Sequence, residues 1–411
     1  MKSSSVFFNE SLRKKIRSNC SACKNAAKIR DQKISKAKRW YEKGYDQLWG
    51  LMFSPAIKRS WMVLSYGWCP ACRKNVNMYD WIIDAVNRPW KLQCPHCGEL
   101  FPKNDFKAYY ESGLDGKGIF RYEKALAGFL VNREENSGDK RRGRNFGVDD
   151  GNGYLGENGD RWMFVGTYLI YGQWKQLVME GIKRLSEAFI VTGEIEYARK
   201  ALVLIDRVAD VYPGFDFREQ GFMYEEERTS TGYVSYWAGA CDDVRDIAIA
   251  YDQIFDAVKE DASIIGYIHE TAVKRGFSND KSDFSKIREN VETNIFRHTI
   301  DHSERIRTNF PHTDITLAII KAIMGWPGNR EEIGRLIKHI IEKSTLVDGV
   351  TGEKGTGGYA SIGPNALAGF LSFFSNLYPD FLEKVLKEYP VLKDTYRFHI
   401  DTWCLERYYP G

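Results

Sequence analysis

Six of the eight cysteines in this 411-residue chain lie in pairs with C-x-x-C spacing. The second and third pairs, Cys69/Cys72 in WCPACRK and Cys94/Cys97 in QCPHCGE, are separated by the 21 residues 73–93. Two such pairs supply four thiolates in the tetrahedral arrangement that Zn²⁺ prefers, and four protein ligands leave no open position for water. The spacing therefore predicts a structural zinc site, with His96 inside the second motif but outside the ligand set.

The remaining cysteines do not suggest further metal ligands. Cys20 and Cys23 lack a second pair and are predicted to be plain thiols, whereas Cys241 and Cys404 stand alone and are predicted to be buried as small apolar residues. A disulfide framework is disfavoured because the N-terminal sequence MKSSSVFFNESLRKKIR has no apolar stretch long enough for a secretory signal.

An amide, an imidazole and a phenol form a second group of residues that could carry chemistry. In RTNFPHTDITLA, Pro311 suits the first turn of a helix, which places Asn309 just outside the helix and His312 within its first turn. The alternative role for Asn309 is an ordinary N-terminal cap. Tyr359 follows a Gly-Gly pair in TGEKGTGGYASIGP, where a phosphate-binding loop is excluded because Lys354 precedes the glycines. No organic cofactor is expected.

These three side chains are the parts needed for β-elimination on a uronic acid. A neutral donor such as Asn309 can quench the substrate carboxylate and stabilise the charge that develops as C5 loses its proton. Tyr359 and His312 suit the removal of that proton and the protonation of the departing O4, if the environment lowers the tyrosine pKa from about 10. We therefore expect a polysaccharide lyase that leaves a 4,5-unsaturated uronate end.

The elements that must position these residues are mostly helical. Apolar residues recur at three- and four-residue steps in 235–257, and similar patterns bounded by Gly, Pro or Asn/Asp predict helices at about 174–189, 194–211, 261–275, 283–300, 311–325, 330–345, 364–376 and 379–388. Short connections favour antiparallel hairpins, so the predicted fold class is mainly α, an (α/α) toroid of helical hairpins with a small zinc-ribbon-like insertion. Successive toroid loops would bring Asn309, His312 and Tyr359 to one rim.

The hydrophobic period changes near the end of the sequence, from Tyr396 to Ile400. Tyr396, Phe398 and Ile400 alternate with polar residues, which predicts a strand and the start of a β domain that continues beyond this sequence. The expected organisation is a basic helical segment over 1–60, a zinc-ribbon-like module over 61–115, the toroid over 116–392 and the start of a truncated β-sandwich over 393–411.

Charge and hydropathy narrow the classes of function. The net charge is +4, and the run from Arg13 to Arg39 holds eleven Lys or Arg against one acid, Asp31. Such a run favours a solvated helix face over a polyanion contact, so no nucleic-acid partner is expected. No apolar run reaches the length of a membrane span, so no membrane partner is expected either.

The missing secretory signal favours a cytoplasmic over a periplasmic location, and the oligomeric state is not predicted.

At these residues the sequence resembles the heparinase II/III-like polysaccharide lyases. The similarity extends over nearly the whole chain, through RSWMVLSYGWCPACRK, FGVDDGNGY, YLIYGQWKQL, TNFPHTDITLA and VDGVTGEKGTGGY. The resemblance implies an (α/α) toroid followed by an antiparallel β-sandwich, with elimination in the cleft between them. It matches the family's loop tyrosine to Tyr359 and its asparagine to Asn309. It also implies a catalytic histidine from the sheet domain, for which His399 is the candidate in this chain.

The expected partner is an acidic polysaccharide or oligosaccharide. Glu353 and Lys354, in the loop of Tyr359, either contact this substrate or face water. Candidates for stacking on its sugar rings are aromatic residues that could equally belong to the core: Tyr236, Trp237, Trp162 and Tyr168.

Two other classes of function stay open. A toroidal glycoside hydrolase would need two carboxylates across a cleft, and Asp242, Asp243 and Glu353 can be nominated for that pair. A carbohydrate-binding protein without turnover is the third hypothesis. An unsaturated uronate product distinguishes the lyase from the hydrolase, which makes reducing ends without it, and from the binder, which makes neither.

Overall fold

The computed structural model of the chain describes residues 2–64, 67–134, 143–223, 230–345, 362–377, 380–401, 403–404 and 407–408. It is mainly helical with little sheet, which confirms the predicted helical class. Within the described ranges, no helix combines the length and the apolar character needed to cross a membrane.

The helices begin and end close to the Gly, Pro and Asn/Asp residues that predicted their bounds. In chain order they are α1 Glu10–Ala22, α2 Lys24–Tyr41, α3 Tyr45–Trp49, α4 Phe106–Ser112, α5 Phe164–Tyr168, α6 Glu180–Thr192, α7 Ile195–Val211, α8 Phe217–Gln220, α9 Trp237–Val258, α10 Ala262–Arg275, α11 Phe284–Val291, α12 His298–Asp301, α13 His312–Gly325, α14 Arg330–Thr345, α15 Ile362–Phe374, α16 Phe381–Glu388 and α17 Val391–Asp401. Two π-helical stretches, π1 Leu169–Met179 and π2 Glu292–Arg297, join α5 to α6 and α11 to α12.

The strands are two residues long and form small separate sheets. They are β1 Arg59–Ser60, β2 Ile82–Ile83, β3 Leu92–Gln93, β4 Leu100–Phe101, β5 Tyr154–Leu155, β6 Arg161–Trp162, β7 Gly221–Phe222, β8 Trp403–Cys404 and β9 Arg407–Tyr408. β1 pairs with β7 in parallel, β2, β3 and β4 form an antiparallel sheet, and β5–β6 and β8–β9 are antiparallel pairs.

The helical hairpin predicted around Gly193 is present. α6 ends where Gly193 adopts a left-handed conformation, with φ of +79°, and its backbone N–H donates to the carbonyl of Phe189 at 2.8 Å. Glycine adopts this conformation without steric cost, so the chain can reverse at once into α7. α7 then packs along α6 as its antiparallel partner.

The long helices α9 and α13 run side by side in the same direction. Near their starts, the Cys241 sulfur lies 3.3 Å from the Thr316 hydroxyl. Near their ends, the Lys2 ammonium bonds both the Asp252 carboxylate and, at 3.3 Å, the Ile323 carbonyl. We call the end of the body where α9 and α13 begin the site end, and the opposite end the far end.

Neighbouring helices run parallel or antiparallel to this pair: π1 and α6 run in the same direction, whereas α14 runs in the opposite one. π1 begins at the site end, where the Trp174 indole N–H donates to Asp243 of α9 at 2.7 Å, and it leads into α6. α14 runs back against α13, so that its residue His339 lies 3.8 Å from Asp314 in the first turn of α13. α15 finishes at the far end, where the Phe374 ring lies 5.2 Å from that of Phe7.

A continuous apolar core lies between these helices. Trp162 and Tyr168 are 1% and 0% exposed and belong to a second buried cluster, which includes Cys69 and Cys94, so they do not form a sugar-stacking surface. The basic run over α1 and α2 places most of its lysines and arginines in solvent, as predicted. Arg13 is an exception, because it is buried and pairs with Asp256 at 3.1 Å.

The strand predicted from Tyr396 to Ile400 is wrong, because these residues belong to the helix α17. In a helix, residues two positions apart point to nearly opposite sides, so the alternation is not a helical pattern, and tertiary packing at other positions of the segment overrides it here. Leu392 and Thr395 are buried, the Tyr396 hydroxyl donates to the Pro364 carbonyl at 3.1 Å, and Ile400 is 73% exposed. The short β8–β9 pair follows α17.

Candidate functional site

Four cysteines come together as their spacing predicted. The sulfur atoms of Cys69, Cys72, Cys94 and Cys97 all lie within 4.8 Å of one another. The Cys69 and Cys97 sulfurs are 3.8 Å apart, and those of Cys72 and Cys94 are 4.0 Å apart. A tetrahedral site with Zn–S bonds of about 2.3 Å requires sulfur separations of about 3.8 Å. The cluster could therefore hold a metal ion.

The two cysteine motifs share one backbone geometry. The carbonyl of Cys69 accepts a hydrogen bond from the N–H of Arg73 at 2.9 Å, and the carbonyl of Cys94 accepts one from Gly98 at 3.0 Å. Arg73 and Gly98 both have positive φ, +61° and +76°. Because the motifs match, their thiolates face each other across the cluster. His96 is not a ligand, since its Nε2 lies 2.7 Å from the Asn75 carbonyl oxygen.

Aromatic packing fixes this cysteine module, residues 67–101, against the helical body. The Phe101 ring of β4 stacks on Phe164 of α5 at 4.6 Å, and Trp81 meets the same ring edge-on at 5.7 Å. The Trp162 indole N–H donates to the Trp68 carbonyl at 2.9 Å. The module therefore supports the start of α5 and the π1 stretch that follows it. Outside the module, Cys20 is buried and Cys23 is exposed, and both are free thiols.

Asn309 and His312 occupy the turn that starts α13, as predicted. The helix begins at His312, whose backbone N–H donates to the Asn309 carbonyl at 3.0 Å. The alternative role of Asn309 as a side-chain cap is wrong, because no side chain caps this helix start. Instead, the Thr313 hydroxyl accepts from the Thr308 N–H at 2.9 Å. Among the described residues, none bonds the Asn309 side-chain amide.

An open cavity of about 430 Å³ adjoins this turn. It is lined by Ser303, Glu304, Arg307, Thr308, Phe310, Thr313, Asp314 and Lys343. The Lys343 ammonium lies 4.3 Å from the centre of the Phe310 ring, which brings α14 against the turn of Asn309. The cavity thus offers hydroxyl groups, two cations and two carboxylates beside the predicted amide and imidazole.

Tyr359, Glu353 and Lys354 lie outside the described residues. The helices on either side are described, and both reach the site end: α14 finishes there beside Phe310, and α15 begins there before it runs to Phe7. His399 lies on α17, but its side chain is also outside the description.

Tyr236 and Trp237, predicted as substrate contacts, are half-buried at the start of α9. Their rings are 5.2 Å apart and nearly perpendicular. Because α9 and α13 start at the same end, these rings share the site end with Asn309 and His312. The structure therefore brings together four of the predicted site residues at one end of the body.

A contact between Tyr233 and His298 was not predicted from the sequence. The Tyr233 hydroxyl lies 3.0 Å from Nδ1 of His298 and donates to the His298 carbonyl at 3.3 Å. Burial raises the pKa of Tyr233 to about 12, and burial, His302 and Arg305 lower the pKa of His298. His298 is therefore a neutral, fixed imidazole at neutral pH. Its four-residue spacing from His302 is visible in the sequence, but the contact with Tyr233 is not.

Two of the three carboxylates nominated for a hydrolase, Asp242 and Asp243, do not face each other across a cleft. Asp243 is buried, and its carboxylate accepts hydrogen bonds from Trp174 and, at 3.1 Å, from the Ser235 hydroxyl. Asp242 is 60% exposed and pairs with Arg245 at 2.6 Å. The third candidate, Glu353, lies outside the described residues.

Comparisons with protein-family models, curated proteins and solved structures find no match to this chain, so similarity establishes neither its family nor its activity.

Proposed function

We propose that this chain is a heparinase II/III-like polysaccharide lyase that cleaves a uronic-acid polymer by β-elimination on an (α/α) toroid. The observation that carries the proposal is the joint position of Asn309 and His312 at the start of α13. That start shares the site end with Tyr236 and Trp237, and with the helix ends that flank Tyr359. The toroid is supported by the helix directions, because α6, α9 and α13 run from the site end to the far end while α7 and α14 run back.

The proposed roles follow from the chemistry of elimination. The Asn309 amide donates to the uronate carboxylate and stabilises the negative charge that forms as C5 is deprotonated. The electrons of the C5–H bond form the C4=C5 double bond while the C4–O4 bond breaks. Tyr359 and His312 share the two proton transfers, one from C5 and one to O4. His399 is the further histidine that the family resemblance implies.

The proposed ion in the cysteine cluster is structural Zn²⁺. The sulfur separations suit four Zn–S bonds, and four thiolates leave no coordination position for substrate or water. The ion would then stabilise the module that supports α5 and π1 and would not take part in the elimination.

The deciding experiment follows the near-ultraviolet absorbance of unsaturated uronate over a panel of uronic-acid polymers. We expect the wild-type chain to produce the signal with at least one polymer. Asn309→Ala should reduce kcat at least about 100-fold, since removal of one charge-stabilising donor typically costs that much. Tyr359→Phe should abolish the signal, and His312→Gln and His399→Gln test the remaining roles. Tyr389→Phe is the matched control, because among the described residues that hydroxyl bonds only its neighbour Glu388, at 2.8 Å.

Each alternative gives a different result. Reducing ends without unsaturated product would establish a hydrolase and overturn the elimination. Binding of a polymer with neither product would establish the carbohydrate-binding function. An unsaturated product that survives Asn309→Ala and Tyr359→Phe unchanged would keep the lyase class but overturn the assigned residues.

A further inference from the structure

Five aromatic side chains from separate parts of the chain form a partly exposed cluster at the site end. Trp61 follows β1, Tyr79 belongs to the cysteine module, Tyr171 lies on π1, and Tyr236 and Trp237 begin α9. The Trp61 ring lies 5.6 Å from Tyr236 and 5.9 Å from Tyr79, and Tyr171 packs in the same group. We call these five residues the aromatic cluster.

The aromatic cluster differs from the nearby core in its exposure. Trp162, Tyr168 and Trp174 are at most 1% exposed, whereas Tyr79 is 65% exposed and the other four members of the cluster are half-buried. Exposed aromatic faces grouped in this way are typical of binding surfaces, and aromatic faces pack well against the C–H faces of sugar rings.

One lysine lies beside this cluster and forms no salt bridge with any described residue, although the carboxylate of Asp243 is near enough to interact with it electrostatically. Lys175 follows Tyr171 by four residues on π1, and its ammonium is 5.9 Å from the centre of the Tyr171 ring. No carboxylate of a described residue lies within ion-pair distance of Lys175. The next lysine along the same helix, Lys183, does pair with an acid, Asp246, at 3.4 Å.

The surroundings of Lys175 favour an anion. Its ammonium would lie 3.7 Å from a Cβ atom built on Gly239, so it stands at the first turn of α9. Backbone N–H groups in that turn carry the positive end of the helix dipole, and no side chain caps them. The nearby carboxylate of Asp243 lowers this positive potential, but it is buried and already accepts from Trp174 and Ser235.

We propose that Lys175 and the aromatic cluster form a subsite for one uronic-acid unit of the substrate. The sugar ring stacks on the exposed aromatic faces, and the Lys175 ammonium pairs with the sugar carboxylate. This inference rests on the proposed function in taking a uronate polymer as the substrate. The inference adds Lys175 as the residue that distinguishes an acidic sugar from a neutral one.

The test measures binding apart from catalysis. Asn309→Ala serves as the parent protein because its turnover should be at least about 100-fold slower than that of wild type. Tryptophan fluorescence reports binding, because Trp61 and Trp237 belong to the cluster. The probes are tetrasaccharides of mannuronate, galacturonate and glucuronate, each paired with its neutral counterpart. Lys175→Gln removes the charge, Lys175→Arg keeps it, and Lys183→Gln is the matched control.

We expect the parent to prefer at least one acidic tetrasaccharide over its neutral counterpart. Lys175→Gln should weaken acidic binding about tenfold or more, because hydrogen bonds to charged groups are the strong ones. Neutral binding should change less than about twofold, and Lys175→Arg should retain the preference. Trp61→Ala should weaken both classes of ligand.

Two results would overturn the subsite: equal loss of acidic binding in Lys175→Gln and Lys183→Gln, or no binding of any acidic tetrasaccharide. If the lyase proposal is wrong but the subsite is correct, wild type will bind the acidic sugar through Lys175 and form no unsaturated product.

Discussion

Asp242 and Asp243 are consecutive residues in very different environments. Asp242 faces solvent, whereas Asp243 is buried under Trp174 and Ser235. Burial raises the pKa of Asp243 to about 6, partly offset by Lys175 and by the hydrogen bonds from Trp174 and Ser235. The folded state therefore binds this proton more tightly than the unfolded chain does. The carboxylate lowers stability once it ionises, and this penalty is absent at low pH.

Asp243→Asn should remove this pH dependence. As pH falls from about 7.5 to about 4.5, the wild-type free energy of unfolding should gain about 2 kcal/mol relative to the variant, because only the wild-type folded state takes up the proton. Urea unfolding of both proteins at several pH values measures the difference. Asp242→Asn is the control and should run parallel to wild type. A constant gap between wild type and Asp243→Asn would contradict the buried, raised pKa.

At the scale of elements, the N-terminal segment holds the far end of α9 through one carboxylate. Asp252 accepts the backbone N–H groups of Val6, Phe7 and Phe8 at 2.7, 2.9 and 3.0 Å, and it also bonds the Lys2 ammonium. The side chains of Lys2 and Asp252 are both 0% exposed. Three donors and a buried cation therefore depend on a single side chain of α9.

Asp252→Asn should lower the free energy of unfolding by about 3–5 kcal/mol, because it leaves a buried ammonium without its counter-charge. Denaturant unfolding measures the loss, and Asp242→Asn again serves as the exposed control. Adding Lys2→Met to Asp252→Asn should recover part of the stability, since no buried charge is then left unpaired. If the double variant is less stable than the single one, the ion pair is not the cause.

The cysteine module gives a second prediction at this scale. Cys72→Ser should lose bound zinc and lower the Tm, because three thiolates and a hydroxyl hold Zn²⁺ less tightly than four thiolates. Zinc per chain by atomic spectroscopy and thermal unfolding with and without a chelator provide the measurements. Cys23→Ser is the matched control, since Cys23 is an exposed thiol outside the cluster. Equal zinc content in both variants would rule out the proposed site.

Elements with a local signal were predictable from the sequence. The cysteine cluster depends on short spacings, and α9 and α13 on helical periodicity with clear starts. The strand predicted at Tyr396 failed because a five-residue alternation is too short to outweigh tertiary packing, and it does not reveal that Leu392 and Thr395 are buried. The contact between Tyr233 and His298 and the grouping of Trp61 with Tyr236 join distant parts of the chain, so no spacing could reveal them.

For the whole molecule, the proposed function requires the sugar to bind at the site end of the body. α9 and α13 begin at the site end together with π1, and the N-terminal segment closes the far end. The first backbone N–H groups of a helix have no partner within it, so they exchange with solvent readily and respond strongly to a bound ligand. Hydrogen–deuterium exchange can therefore distinguish the two ends.

We expect an acidic tetrasaccharide bound to the Asn309→Ala variant to slow exchange at least about twofold in the first turns of α9 and α13 and in π1. Residues 2–8 and the last turns of α9 and α13 should not change, because roughly 15–30 Å of helix separates them from the site end. The neutral tetrasaccharide should protect π1 less, since it lacks the carboxylate that pairs with Lys175. Protection at the far end, or only in the cysteine module, would place the binding surface elsewhere and contradict both the lyase site and the subsite.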